Sequence, residues 1–221
     1  MARFERMTVY QRMIDTGVIP LFYHADVGVA QNIAGALARS GANVIEFTNR
    51  GDFAIEVFSA LAKSLPDVIL GVGTVDDAAT AALYLAHGAN FVVGPTFVED
   101  VARVCNRRKV AYLPGCATVN EVARAEEWGA EIVKLFPGNL AGPDFIKAIT
   151  APRPWTKIMP SGGVSADEAN LRAWFDAGAC CVGMGSNLVR ADWVKAGDFA
   201  AIEAAARGAV ETIKGVRKQP R

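Results

Sequence analysis

Short apolar runs alternate with longer amphipathic stretches along the whole chain. The short runs are rich in β-branched and aromatic residues, and nearly all end at glycine, proline, serine or threonine, as strands do. Between them apolar residues recur at helical spacing, as at Val29, Ile33, Ala34 and Leu37. Most helical stretches end in a glycine-containing turn that leads into the next strand. This alternation predicts βα units around a parallel sheet.

Eight strands are predicted from the short runs. They are VIPLFYH from Val18, NVIEFTN from Asn43, VILGVGT from Val68, FVVGPT from Phe91, VAYLPG from Val110, EIVKLFPG from Glu131, TKIMPSGG from Thr156 and CCVGMGS from Cys180. Eight βα units in about 200 residues favour a closed (β/α)8 TIM barrel over an open doubly wound sheet, which typically has fewer strands and one glycine-rich turn. The active site of such a barrel lies at the C-terminal ends of its strands.

The two ends of the chain are predicted to be helical and to belong to the same unit. The residues before Val18 are expected to form an extra N-terminal helix that closes the bottom of the barrel. The stretch AAIEAAARGAVETIKGVRK is expected to be the last outer helix. We therefore predict a single α/β domain over residues 1–221, with no linker between separate units.

Charge and composition exclude several classes of function. Lys+Arg and Asp+Glu both number 23, so no overall field favours nucleic acid or an anionic membrane. No window reaches the roughly 20 apolar residues of a membrane span, and the charged start lacks the apolar stretch of a signal peptide. The four cysteines show no CxxC spacing and predict free thiols. We expect a cytoplasmic protein that binds neither nucleic acid nor membrane.

Lys134 is the residue that most directly suggests chemistry. Of the eight lysines, it alone lies within an apolar strand, near the C-terminal end. Its neighbours Val133, Leu135 and Phe136 make the site partly desolvated, which favours the neutral, nucleophilic amine that forms Schiff bases. The alternative is a core lysine paired with a carboxylate, because burial alone does not prove function.

Glu46 is the second candidate, because an acid within an apolar strand must be paired or functional. Strand alternation allows Glu46 and Lys134 to share the barrel interior, where they could exchange protons through water or form a plain ion pair. Arg50 has the same parity as Glu46, and its planar guanidinium suits a carboxylate. A solvated loop arginine is the alternative.

Glycine-rich turns follow the seventh and eighth predicted strands. Barrels often bind phosphate with backbone N–H groups of these two loops, and glycine lets the backbone approach an anion. The candidate residues for an anion site are therefore Ser161, Gly162, Gly163, Gly185 and Ser186. Tight strand-to-helix turns would produce the same pattern. The only histidines are His24 and His87, and no aspartate cluster accompanies them, so we expect neither a catalytic metal nor a cofactor.

The ordered set IEFTNR, GVGT, VVGP, PGCAT, VKLFPG, PSGGV and GMGS resembles the KDPG/KHG aldolase family from about Val18 to the C-terminus. KDPG is 2-dehydro-3-deoxy-6-phosphogluconate and KHG is 4-hydroxy-2-oxoglutarate. The resemblance implies a class I aldolase, usually a homotrimer, that cleaves a 2-keto-4-hydroxy acid into pyruvate and an aldehyde. Its VKLFP strand combined with an upstream ExxxR is specific.

The resemblance also implies roles for individual residues. Lys134 matches the lysine that forms the imine, and Glu46 matches the acid that shuttles protons. The residues that match the surroundings of the pyruvate moiety are Arg50, Thr74, Pro95 and Phe136. Those that match the distal phosphate site are Gly162, Gly163 and Ser186. Two positions depart from the family pattern, Ser161 in place of a common threonine and Asn49 before the arginine, which bears on the substrate.

Three functions remain open from the residues. A Schiff-base aldolase is favoured, and PGCAT and FPGNLAGPDFIKAI are also similar to the branch that acts on 2-dehydro-3-deoxy-6-phosphogalactonate. A sugar-phosphate isomerase or epimerase would use the same two-loop phosphate site but leave Lys134 as an ion-pair partner. A non-catalytic barrel that binds a keto acid or serves as an oligomeric scaffold would give no reason for both Lys134 and Glu46.

Overall fold

Parallel strands pair side by side in this protein. The structure is a computed structural model that describes residues 2–218. The strands are β1 (Val18–Phe22), β2 (Val44–Thr48), β3 (Ile69–Gly73), β4 (Phe91–Val93), β5 (Ala111–Leu113), β6 (Gly115–Cys116), β7 (Val133–Leu135), β8 (Ile158–Pro160) and β9 (Val182–Met184). They pair in the orders β5-β4-β3-β2-β1-β9 and β6-β7-β8, with parallel register throughout. All eight predicted strand segments therefore contain observed strands.

The two runs of strands join into one closed ring. The fifth predicted strand is interrupted at Pro114, because proline has no N–H to donate to a neighbouring strand. The carbonyl of Pro114 accepts a hydrogen bond from the N–H of Lys134 at 2.9 Å, so the ring continues from β5 into β6 and β7. On the other side an isolated bridge pairs Ser161 with Gly183 and joins β8 to β9. The predicted (β/α)8 barrel is confirmed, whereas one continuous strand over 110–115 was wrong.

Helices separate the strands, as the sequence pattern predicts. They are α1 (Arg6–Thr16), α2 (Val27–Arg39), α3 (Ala54–Ser64), α4 (Ala78–Ala86), α5 (Glu99–Arg108), α6 (Val119–Glu127), α7 (Gly138–Thr150), α8 (Glu168–Asp176), α9 (Ala191–Ala196) and α10 (Phe199–Lys218). The short α9 between β9 and α10 was not predicted. The helices of residues 2–218 include none with the length and apolar character needed to cross a membrane.

Apolar side chains form two layers, one inside the barrel and one between the strands and the outer helices. The inner layer is filled from alternate strand positions, which include Ile19, Val44, Ile69, Phe91, Val93, Leu113, Ile132 and Met159. Helix α1 packs Val9, Tyr10 and Met13 against this layer, and the Tyr10 hydroxyl accepts from the Tyr112 N–H at 3.2 Å. The expected helix at the barrel bottom is confirmed. Met1 and residues 219–221, which complete the predicted domain, lie outside the described residues.

Candidate active site

Glu46 and Lys134 are the two charged side chains enclosed at the C-terminal end of the barrel interior. Each lies two residues beyond an inner-layer residue of its own strand, Val44 in β2 and Ile132 before β7, so strand alternation turns both inward. Only 1% of Glu46 and 7% of Lys134 is exposed. The structure thus brings together the two residues that the sequence singled out.

Burial controls the protonation of Glu46. Removal from water raises the pKa of this carboxyl above its ordinary value, and the nearby charges of Lys134 and Arg50 oppose that rise in part. Oε2 of Glu46 is buried without a hydrogen-bond partner. A carboxyl with a raised pKa and an unsatisfied oxygen is suited to accepting and returning a proton.

Lys134 has an environment that is mostly apolar. Its Nζ lies 4.9 Å from the centroid of the Phe136 ring, over the ring face. Within the described part of the chain, no carboxylate approaches Nζ within the 4.0 Å of a direct ion pair, so the plain Glu46–Lys134 pair is not formed. The amine therefore lies buried near the mouth of the barrel without a direct carboxylate partner.

Gly73 leaves the space that the Glu46 carboxylate occupies. A Cβ atom at this position would lie 1.8 Å from Oε1 of Glu46, so the Glu46 side chain would have to shift to make room for it. Sequence reasoning noted the GVGT run only for Thr74 and missed this role of Gly73. The β2–β3 register, which pairs Glu46 with Gly71 and Thr48 with Gly73, is seen only in the structure, so no signal in the sequence could have found this role.

The backbone next to Gly73 has an uncommon conformation. Thr74 has φ of +62°, in the left-handed region that a β-branched residue rarely adopts. The carbonyl of Gly73 accepts from the N–H of Asn49 at 2.8 Å, and the Asn49 side chain accepts from the Tyr84 hydroxyl at 2.9 Å. These two hydrogen bonds hold Asn49 in place, and Arg50 is the next residue of the same loop.

Two cavities lie at the mouth, and five of the nine predicted substrate-binding residues line one or the other. One, of about 660 Å³, is lined by residues that include Arg50, Gly185 and Ser186. The other, of about 300 Å³, is lined by residues that include Pro95 and Phe136. The larger volume falls within the range of small-molecule sites. The sequence did not predict this division.

The turn after β8 lies beside the larger cavity without lining it. Gly162 and Gly163 have φ of +91° and +73°, and a Cβ on Gly163 would come within 2.9 Å of the Asn139 backbone. The buried Ser161 bridges to Gly183, so this turn is the neighbour of the Gly185–Ser186 turn. The two glycine-rich loops are adjacent, as expected for an anion site.

Residues 2–218 contain no group of three or more His, Cys, Asp or Glu side chains arranged to hold a metal ion. Both histidines have other contacts: His87 Nδ1 lies 2.6 Å from the Ser59 hydroxyl, and His24 Nδ1 lies 3.1 Å from the Asp26 backbone nitrogen.

Comparison with known proteins places this geometry in a family. Residues 9–205 match the family model described as KDPG and KHG aldolase. The 2-dehydro-3-deoxy-phosphogluconate aldolase of Pseudoalteromonas atlantica is 34% identical over 201 residues, which cover 90% of this chain and 92% of the relative. The KHG/KDPG aldolase of Escherichia coli K12 is 32% identical over 210 residues, which cover 94% of this chain and 97% of that one.

A solved structure agrees with the sequence relatives. The KDPG aldolase from Legionella pneumophila, crystallised with pyruvate captured as a covalent carbinolamine intermediate, superposes with a TM-score of 0.83 at 26% identity. The match covers 91% of this chain and 97% of that one. The chain therefore belongs to the KDPG and KHG aldolase family and is an aldolase.

Proposed function

We propose that this aldolase is a class I enzyme that cleaves a 2-keto-4-hydroxy acid into pyruvate and an aldehyde through a Schiff base on Lys134. The observation that carries the proposal is the enclosure of one amine and one carboxyl, Lys134 and Glu46, at the same end of the barrel. An amine without a direct carboxylate partner can add to a ketone, and a carboxyl with a raised pKa can move protons.

The proposed reaction begins when the Lys134 amine adds to the C2 carbonyl. The carbinolamine takes up a proton and loses water, which gives a protonated imine. Glu46, directly or through water, then takes the proton of the C4 hydroxyl, and the C3–C4 bond breaks. The bonding electrons move into the imine to form an enamine, and the C4 fragment leaves as the aldehyde. A proton returns to C3 from Glu46, and water releases pyruvate and restores the amine.

The proposed substrate carries an anion at each end. Arg50 offers a guanidinium to the C1 carboxylate, and Thr74, Pro95 and Phe136 surround the pyruvyl portion. The adjacent loops of Gly162–Gly163 and Gly185–Ser186 offer backbone donors to a distal anion. The candidate substrates are a 2-keto-3-deoxy-6-phospho sugar acid, of the gluconate or galactonate configuration, and 4-hydroxy-2-oxoglutarate.

Borohydride trapping tests the chemistry. Incubation with pyruvate and borohydride is expected to add one reduced pyruvyl group to the protein, which peptide mass spectrometry locates at Lys134. Lys134→Arg keeps the positive charge and should not be labelled. Labelling at any other lysine would reject the assignment. A screen of pyruvate release from the three candidate acids, with stereoisomers kept separate, then identifies the aldehyde.

We also propose that the enzyme is a cytoplasmic homotrimer with a single domain over residues 1–221. The family resemblance supports the trimer, and the four cysteines, all free thiols in the structure, suit a reducing compartment. Light scattering during size-exclusion chromatography should give a mass near three times the 23.5 kDa of one chain, and a monomeric mass would contradict the trimer.

A further inference from the structure

Tyr84 is a polar residue of α4 that lies in the apolar layer between the strands and the outer helices. Only 1% of it is exposed, and its ring meets the ring of Phe58 edge to face, with centroids 5.0 Å apart. The Phe58 ring in turn packs against Phe47 of β2, with centroids 6.4 Å apart. Rings packed in this way hold the Tyr84 hydroxyl in one place. Burial raises the pKa of this hydroxyl to about 12, so it remains a hydrogen-bond donor at neutral pH.

The Tyr84 hydroxyl donates to the side chain of Asn49, the first residue after β2, over 2.9 Å. The chain turns sharply at this residue, because the N–H of Arg50 donates to the carbonyl of Thr48 at 3.0 Å. The backbone N–H of Asn49 also donates to the carbonyl of Gly73 at 2.8 Å. Asn49 is thus the central residue of the turn, and the direction in which Arg50 leaves β2 depends on it.

The backbone on the other side of Arg50 is also confined. A Cβ atom on Gly51 would lie 2.1 Å from the Tyr23 hydroxyl oxygen, so the loop passes directly against this tyrosine. Arg50 itself makes no ion pair within 4.0 Å in the part of the chain that the structure describes. Its charge nevertheless acts on Glu46, where it opposes in part the rise in pKa that burial causes. The loop backbone, rather than a carboxylate partner, therefore positions the guanidinium.

We propose that Tyr84 is a positioning residue, whose hydroxyl holds Asn49 and thereby places the Arg50 guanidinium for the C1 carboxylate of the substrate. The inference rests on the proposed function, since it assumes that Arg50 binds this carboxylate. Tyr84 lines neither mouth cavity, so it acts through Asn49 and does not itself bind the keto acid. A turn that is already held in place need not be ordered when the substrate binds, so the effect of Tyr84 falls on binding rather than on bond cleavage.

Removal of the hydroxyl tests this role with a small change. Tyr84→Phe keeps the packed ring and deletes one oxygen atom. KM for the keto acid that the pyruvate-release screen identifies should rise by about 3- to 10-fold, the effect of one lost neutral hydrogen bond, while kcat stays within about twofold. Pyruvate carries the same carboxylate, so the pyruvate concentration that gives half-maximal borohydride trapping should rise by a similar factor. Asn49→Ala removes the acceptor of the same hydrogen bond and should raise both quantities to a similar extent.

Tyr10→Phe is the matched control. Tyr10 is also buried, and its hydroxyl accepts from the Tyr112 N–H at 3.2 Å, but it lies at the closed end of the barrel. A loss of stability from removing a buried hydroxyl would appear in both variants, whereas only Tyr84→Phe should change KM. An equal rise of KM in Tyr10→Phe would show a general loss of packing and overturn the positioning role.

Arg50→Lys identifies the residue through which Tyr84 acts. This variant lacks the planar group that holds a carboxylate by two bonds, so Tyr84→Phe should raise KM no further in its background. Equal rises of KM in both backgrounds, or an unchanged KM in Tyr84→Phe alone, would overturn the inference and leave the Schiff base intact. Absence of pyruvate trapping in the wild type would instead reject the proposed function.

Discussion

At the residue scale, substitution of Glu46 is expected to impair bond cleavage while imine formation continues. Glu46→Gln keeps the shape of the side chain but cannot take up the C4 hydroxyl proton. Trapping of pyruvate at Lys134 should therefore persist, while turnover falls by roughly 100- to 10,000-fold, the usual contribution of a general acid or base. Steady-state assays of pyruvate release give the turnover, and near-normal turnover would reduce Glu46 to a structural role.

The same substitution should change stability in a direction set by pH. Because burial raises the pKa of Glu46, the folded protein retains the proton above pH 4.5, the ordinary value, where the unfolded chain loses it. Stability contributed by the protonated carboxyl therefore decreases as pH rises from that value through the folded pKa. Glu46→Gln should raise Tm at pH 8, by about 2–4 °C per kcal/mol relieved, and have little effect at pH 4. Calorimetry measures Tm at both pH values, and equal Tm shifts at pH 4 and pH 8 would show that the raised pKa of Glu46 is not the cause.

Substitution of Gly73 tests the position of the Glu46 carboxylate without removing that group. In Gly73→Ala the new methyl group would overlap Oε1 of Glu46, so the side chain must move away from its position. Turnover should fall by roughly 100-fold, as displacements of about 1 Å do, while trapping at Lys134 is retained. Gly208→Ala on the exposed side of α10, where a Cβ atom meets nothing within 4 Å, is the matched control. Similar turnover in both variants would remove Gly73 from the site.

Strand periodicity explains which of these residues the sequence could predict. Alternation placed Glu46 and Lys134 inside the barrel without knowledge of the register, because both lie in apolar strands. The contribution of Gly73 depends on how far β3 is shifted against β2, and a single sequence does not encode that shift in a local pattern.

At the element scale, α1 could be predicted from the sequence, whereas the pairing of the interrupted fifth strand could not. The sequence predicted an extra helix before Val18 at the barrel bottom, and the structure confirms that α1 packs against the lower end of the barrel. The interruption at Pro114 follows from its missing N–H, but only the neighbouring strands show that β5 and β6 pair with different partners. The short α9 lacks enough turns for helical periodicity to be recognised.

Two methionines of α1 allow its packing to be measured. Met13 is fully buried against the barrel interior, whereas Met7 on the same helix is 66% exposed. Met13→Ala should lower the free energy of unfolding by about 2–5 kcal/mol, and Met7→Ala should change it by less than about 0.5 kcal/mol. Urea unfolding measures both. Equal effects would show that α1 does not close the barrel, and kcat of the folded Met13→Ala protein should be unchanged because the site lies at the other end.

At the scale of the whole molecule, the barrel separates the proposed reacting pair from the residues that line the larger mouth cavity. Lys134 and Glu46 lie inside the ring, while Arg50, Ser186 and Lys195 line a cavity formed by loops and by α9. Sequence patterns report on strands and helices, and they predicted the interior pair. They do not report how loops from distant parts of the chain enclose a volume, so the two cavities emerged only from the structure.

The closure of the lower end by α1 also has a consequence for the kinetics. With Val9, Tyr10 and Met13 packed beneath the inner layer, ligands enter and leave through the mouth alone. In the proposed reaction the pyruvyl group is bound to Lys134 at the inner end of that route, so the aldehyde departs before pyruvate does. For that reaction we expect an ordered release of products, in which pyruvate is the last to leave and the free enzyme is the form that rebinds it.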